Sequence, residues 1–444
     1  MARALTEQLI RRGWEASLVS GSLRGAAQAD ARRFYDGLPL HTVDFRPALE
    51  SADPMRFDPG PGGAPMHASF EGRKGAPDRP LAMLGRADLA LQVRAWAREL
   101  ERAGAGEADV LHLHHLTPLN EAAGRVAPGV PVVGHLHGTE LLMLEAIEEG
   151  PPKDWRHARE WAARMRGWAA DCAYLVAASE LGARRAERLL GVAPVVIANG
   201  FDGELFRPLE VDRLAHWRHH LVERPRGWRP GAGTGSVRYG EDELASFADA
   251  PVLLFVGRFT AVKRLPLLIR AYARARPRLA VPAPLVIVGG HPGEWEGEHP
   301  LEVVDDLAVP DVFLAGWHEH AALPEFFAAS DLYVLPSVGE QFGLTIVEAM
   351  ACGLPPVAVD RLGPSEIVEQ GETGWLVPPD DELALADALV EAVNRPRERG
   401  RRAHQAHAAA RARWSWSTSA ETLAELLEDA IRPAPPRAAA GLVP

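Results

Sequence analysis

Two glutamates with seven residues between them, Glu340 and Glu348, bracket the run Glu340-Gln341-Phe342-Gly343-Leu344-Thr345. A carboxylate accepts hydrogen bonds from two neighbouring hydroxyls, so the pair suits a molecule carrying hydroxyls on either side of a central group. That central group should be an anion. Gly343 lets a ligand come close to the backbone, and the free N–H groups of a helix opening at Leu344 carry about half a positive charge. The spacing therefore predicts a phosphate just above Gly343 and Leu344, with a ribose on one side and a hexose on the other. Taken singly, Glu340 reads equally well as a solvated loop carboxylate and Glu348 as an exposed helix residue.

A second signal follows the apolar run 252–256, where Gly257-Arg258 and then Lys263 precede a helix starting near Leu265. Ligands of open α/β sheets bind beyond the carboxyl ends of the strands. Arg258 offers a planar fork for phosphate oxygens and Lys263 a mobile point charge, enough together to neutralise a diphosphate. The competing reading is a solvated basic turn. In the first half, histidines cluster at two strand ends, as His112-Leu113-His114-His115 and His135-Leu136-His137-Gly138. Strand alternation puts His112 with His114, and His135 with His137, on one face. Three readings stay open for them: a metal site, with Asp109 and Glu140 as the only nearby carboxylates; buried packing; or a polar contact to substrate.

These residues need strands and helices to hold them. From about residue 108 short apolar runs alternate with amphipathic stretches, the pattern of βαβ units and parallel sheets. Strands are expected at 110–113, 132–135, 175–177 and 195–197, then at 252–256, 285–288, 312–314, 332–335 and 357–359. Helices are expected at 265–275, 323–329, 344–351 (ended by Gly353) and 383–393. Two doubly wound domains in tandem follow, with a turn at Asn199-Gly200 and a connector to Pro208. The division expected is 1–207 and 208–413. Residues 432–444 read as a disordered tail. Segments 51–63 and 224–240, rich in Pro and Gly and without periodicity, read as surface loops. The N-terminus opens on a helix at 2–12 and a strand near 16–19, whereas a doubly wound domain ordinarily opens on a strand and a Gly-rich turn. The first domain is thus expected to lack its opening strand.

A chain of 444 residues is about three times a typical domain of ~150 residues, which fits two domains plus irregular segments. Its 47% hydrophobic and 24% charged residues are those of a globular protein. A net charge of −12 argues against nucleic acid or anionic membrane as a general partner. Cys172 and Cys352 match no metal or redox spacing and read as buried thiols in a reducing compartment. Without a signal pattern or an apolar run long enough to span a bilayer, the expectation is a cytoplasmic protein, with peripheral membrane contact left open.

At five segments the sequence resembles the retaining glycosyltransferases of family 4, which have a two-domain B-type fold. The segments are Val133-Gly134-His135-Leu136-His137-Gly138-Thr139-Glu140; Ile197-Ala198-Asn199-Gly200-Phe201-Asp202 with Phe206 and Pro208; Phe255-Val256-Gly257-Arg258 with Lys263; Pro336-Ser337 through Glu340 to Glu348-Ala349-Met350-Ala351-Cys352-Gly353; and 371–378. The resemblance implies two tandem Rossmann-like domains facing a central cleft, with 1–207 as the acceptor-side domain, joined by a crossing C-terminal helix at 414–431, and 208–413 as the nucleotide-sugar domain. It also implies transfer from a nucleoside-diphosphate sugar with retention, by same-face attack through an oxocarbenium-like transition state. No metal and no cofactor are implied, the nucleotide sugar being a substrate. Carried over position by position, Glu340 contacts donor-sugar hydroxyls and Glu348 the ribose. Gly343 and Leu344 offer amides to the diphosphate, Arg258 and Lys263 stabilise it as it leaves, and His137 lies beside the donor sugar. The catalytic set is then His137, Arg258, Lys263 and Glu340, and the donor-binding set adds Gly257, Phe342, Gly343, Leu344, Thr345 and Glu348.

The family's opening strand and Gly-rich loop have no counterpart before Ala2, so two functional readings stand. One is a hexosyltransferase acting on a lipid, polysaccharide or small-metabolite hydroxyl. The other is a nucleotide-sugar-binding protein, truncated or non-catalytic. A nucleotide-sugar epimerase or a metal-dependent hydrolase would need carboxylates poised in the first domain, where none stands out.

Overall fold

The computed structural model describes residues 1–23, 30–72 and 78–432. All but Arg432 of the expected tail lies outside the described residues. The chain divides into two compact units, Met1–Ala198 with the chain from Ser417 on, and Asn199–Trp416. This break falls earlier than residue 207, where the sequence boundary is drawn, and the connector goes with the second unit.

In the first unit, helix Ala2–Arg11 leads into β1 (Leu18–Ser22), which replaces the strand expected at 16–19 and pairs in parallel with β2 (Leu40–Asp44). The strands β3 (Leu111–His114), β4 (Val132–His135), β5 (Tyr174–Ala177) and β6 (Val195–Val196) form a second parallel sheet in chain order. Both sheets contribute to one apolar core, in which Val43 and Phe45 join Leu113, Leu175, Trp161 and Met165. Residues 51–63 are the irregular surface loop expected, with anchors that hold it down. Met55 is buried, and Arg98 of helix Arg86–Arg102 clamps the segment by donating to Asp58 at 2.9 Å and to the carbonyls of Gly60 and Gly63 at 2.8 Å. The terminal helix Trp416–Ile431 returns to this unit, where Ser419 donates to the Ala198 carbonyl at 2.7 Å and Arg12 to that of Ser417 at 2.9 Å.

The second unit is one parallel sheet of β7 (Leu253–Val256), β8 (Leu285–Val288), β9 (Val312–Gly316), β10 (Leu332–Leu335), β11 (Pro356–Val359) and β12 (Trp375–Val377). Strands β7 to β11 are buried at every position, as their unbroken apolar wording requires when helices cover both faces. β12, three residues long, is too short to register as a strand by pattern. The order is β12-β11-β10-β7-β8-β9. Chain-consecutive strands thus step outward from β7 in one direction and from β10 in the other, so the switch point, beyond whose carboxyl strand ends a doubly wound sheet binds its ligand, lies at β7 and β10. Residues 224–240 are likewise a largely exposed loop, as expected, held by a buried anchor. Trp228 is 1% exposed, stacks on Phe259 with ring centroids 5.9 Å apart, and donates its indole N–H to the Gly290 carbonyl at 3.1 Å. A loop pinned by one large anchor carries no periodicity, so pattern reading misses the anchor.

Candidate functional site

The loops after β7 and β10 are locked together. The Ser337 hydroxyl and the Val338 amide donate to the Val262 carbonyl at 3.1 and 2.9 Å. This brings Lys263, in the short turn Ala261–Lys263, against Glu340, and the ammonium hydrogen-bonds to the Glu340 carboxylate. Two residues assigned separate tasks from sequence, one to the diphosphate and one to the sugar, are thus ion partners. Both are mostly buried, at 16% and 17% side-chain exposure, so water screens the pair only partly. Arg258 stands exposed one residue past Gly257 and makes no hydrogen bond or ion pair with the described residues. Gly257 cannot be displaced easily, because a Cβ on Gly289 after β8 would sit 1.9 Å from its carbonyl oxygen.

The helix beyond β10 is Leu344–Ala351, with Gly343 as its N-cap at φ +107° and no side-chain cap. Only a residue without Cβ takes that backbone at little cost. The first amides of a helix have no intrahelical acceptor, so those of Leu344 and Thr345 are left for an anion. The Thr345 hydroxyl accepts from the buried Tyr333 hydroxyl at 2.8 Å, which leaves its own hydrogen to donate. Phe342 is buried, and its backbone lies so close to the helix Gly363–Ile367 that a Cβ on Gly363 would meet the Phe342 oxygen at 2.0 Å. The loop that carries Glu340 is therefore held from both sides.

Glu348 is buried at 1% exposure, unlike the exposed helix residue of the competing reading. Its Oε1 accepts from His320 Nε2 at 2.6 Å, and its Oε2 is buried with no hydrogen-bond partner. Burial raises the Glu348 carboxyl above the ordinary range and outweighs the opposing pull of His320. The hydrogen bond to Glu348 in turn raises the His320 imidazole. His320 was missed in the sequence; its one signal is the His-Glu-His wording just after β9, at another carboxyl strand end.

The histidines of the first unit gather on β3 and β4. His112 Nε2 lies 3.1 Å from His135 Nδ1, His114 Nδ1 lies 2.9 Å from His137 Nε2, and His115 Nδ1 lies 2.7 Å from Glu140. Burial lowers His112 and His137 to about 4, the latter helped by the charge of His115. Burial pushes the Glu140 carboxyl up, but the hydrogen bond from His115 and the neighbouring imidazoles outweigh it and hold it below its ordinary value. The imidazoles partner one another, and among the described residues no group of three or more His, Cys, Asp or Glu is placed to hold a metal ion. His137 belongs to the first unit, and the other candidates all belong to the second. Cys352 is buried and Cys172 half-buried, both as free thiols.

A family model described as Glycosyl transferases group 1 matches residues 241–413, and one described as Glycosyltransferase Family 4 matches residues 1–205. A D-inositol 3-phosphate glycosyltransferase of Thermomonospora curvata is 31% identical over 366 residues, covering 78% of each chain. One from Nocardioides sp. is 32% identical over 375 residues, covering 78% of this chain and 73% of its own. This chain belongs to glycosyltransferase family 4. Among solved structures, the family 4 chain is similar to sucrose-phosphate synthase from Thermosynechococcus elongatus, with a TM-score of 0.66 at 19% identity, covering 96% of this chain and 92% of that one. It is also similar to Anabaena HepE in complex with UDP-glucose, with a TM-score of 0.63 at 20% identity and 96% of each chain covered. At these identities the likeness carries the fold, two tandem Rossmann-like domains of the B-type. No helix among the described residues is long and apolar enough to cross a membrane.

Proposed function

We propose that this family 4 protein moves a hexose from a nucleoside-diphosphate sugar to a hydroxyl acceptor, with retention and without a metal. The observation that carries the reading is the buried, unpartnered Oε2 of Glu348 on a helix whose uncapped start adjoins the Lys263–Glu340 pair. A buried carboxylate oxygen without a partner costs about 1–3 kcal/mol or more, a penalty that a ribose hydroxyl removes. The diphosphate lies over the amides of Leu344 and Thr345. When it arrives, Lys263 turns from Glu340 to the phosphate and frees that carboxylate for the sugar hydroxyls. Negative charge grows on the departing diphosphate, so Arg258, Lys263 and the helix start act most strongly in the transition state. Those groups supply the positive charge a metal would otherwise bring, which supports metal independence. The acidic net charge and the two free thiols support a cytoplasmic setting without nucleic acid.

UDP-glucose, present in the HepE complex, is the first donor to test, and the relatives' printed activity makes an inositol phosphate the first acceptor. Thermal stabilisation by UDP, GDP and ADP identifies the nucleobase, since ligand at a hundred times its Kd adds about 2.7 kcal/mol. Transfer is then read as nucleoside diphosphate released only when acceptor is present, unaffected by chelator, with the product's anomeric configuration assigned by NMR. Equal release without acceptor, or an inverted product, overturns the proposal. Stabilisation with no transfer to any acceptor selects the other reading, a nucleotide-sugar-binding protein that does not catalyse.

A further inference from the structure

The two oxygens of Glu348 have different surroundings, and one side chain makes the difference. His320 comes from the turn His320–Ala322 after β9 and occupies Oε1, leaving Oε2 as the buried acceptor without a partner. The imidazole does not hang freely. Its ring packs at a 53° tilt against Phe206, centroids 4.9 Å apart, and Phe206 is 1% exposed and packs in turn on Phe327. A fixed aromatic floor therefore sets the ring, and the ring sets the carboxylate. Without it the carboxylate would rotate about its own axis and offer either oxygen, at an ordering cost met only on binding.

We propose that His320 is a positioning residue for nucleotide recognition: by holding Glu348 Oε1 it reserves Oε2 for a ribose hydroxyl, and so sets a preference for ribonucleotide over deoxyribonucleotide donors. The inference rests on the reading of this unit as a nucleotide-sugar site. A site built to hydrogen-bond a hydroxyl rejects the analogue that lacks it, because the buried acceptor then stays unpaired. That rejection depends on the acceptor being unable to turn elsewhere. With its side chain 59% exposed, His320 can be removed without opening a core cavity.

The test is calorimetric titration of the full chain with UDP, GDP and ADP, and of the diphosphate that binds against its 2′,3′-dideoxy counterpart. The unaltered protein should bind the ribonucleotide about tenfold or more tighter than the dideoxy form, the scale of one hydrogen bond to a charged group. H320A should weaken the ribonucleotide by about the same factor and leave the dideoxy form within about twofold, so that the discrimination collapses. H320Q, whose amide N–H reaches where Nε2 does, should restore it. Equal weakening of both ligands by H320A would mean a merely structural role and overturns the proposal. So does discrimination that survives in H320A, or none in the unaltered protein. Failure of the unaltered protein to bind any of the three diphosphates overturns the reading of the site itself.

Discussion

Arg258 and Lys263 carry the same charge, but the fold uses them differently. Lys263 is engaged by Glu340, whereas Arg258 is exposed with its guanidinium uncommitted. Removing Arg258 therefore breaks no hydrogen bond or ion pair among the described residues and strips positive charge from the departing diphosphate. Losing one such donor costs about 2.7–4 kcal/mol, so Arg258→Ala should lower kcat about a hundredfold or more with Tm unchanged. Near-normal turnover at saturating donor would remove Arg258 from the reaction. Glu348 is the residue whose environment was least legible. Its wording marks it as a hydroxyl acceptor, but burial, the His320 bond and the empty oxygen all depend on a segment 28 residues away.

At the scale of elements, the helix Leu344–Ala351 and its glycine start make a ligand site out of a strand end. The helix was legible from its apolar run and from Gly353, and so was the need for glycine at 343. What the structure adds is the geometry: φ is +107°, and a Cβ there would lie 3.1 Å from Ile346 Cδ1. Gly343→Ala should destabilise the chain by about 1–3 kcal/mol through backbone strain. The same change shifts the amides of Leu344 and Thr345, so affinity for the nucleoside diphosphate should fall along with Tm. A melting curve and a titration on one preparation check both, and an unaltered Tm would refute the strain argument. The loops at 51–63 and 224–240 were legible as surface loops, but their anchors, Met55, Arg98 and Trp228, were not, because single contacts rather than a repeating pattern hold them.

Across the whole molecule, neutral histidines are buried in both units. Burial lowers His112 and His137 in the first, and His216, His299 and His318 in the second, each to about 4 from an ordinary 6.5. A folded-state value below the unfolded one means that the unfolded chain binds protons first as pH falls. Their contribution is fully present above about 6.5 and is lost progressively towards about 4, at about 1.4 kcal/mol per pH unit for each proton taken up only on unfolding. Tm should therefore fall steeply between pH 6.5 and 4.5, and a flat profile there would show that these imidazoles are hydrated. The sequence by itself determined the alternation of strands and helices in two tandem domains, because periodicity and turn chemistry are local properties of the chain, and the wording of the donor motif, through whose family resemblance the B-type class was implied. Only the tertiary structure decided that β7 and β10 are neighbours, that Lys263 meets Glu340 across 77 residues, and that one Glu348 oxygen is held while the other is left open. Those contacts follow from the order of strands in the sheet, which no local pattern encodes.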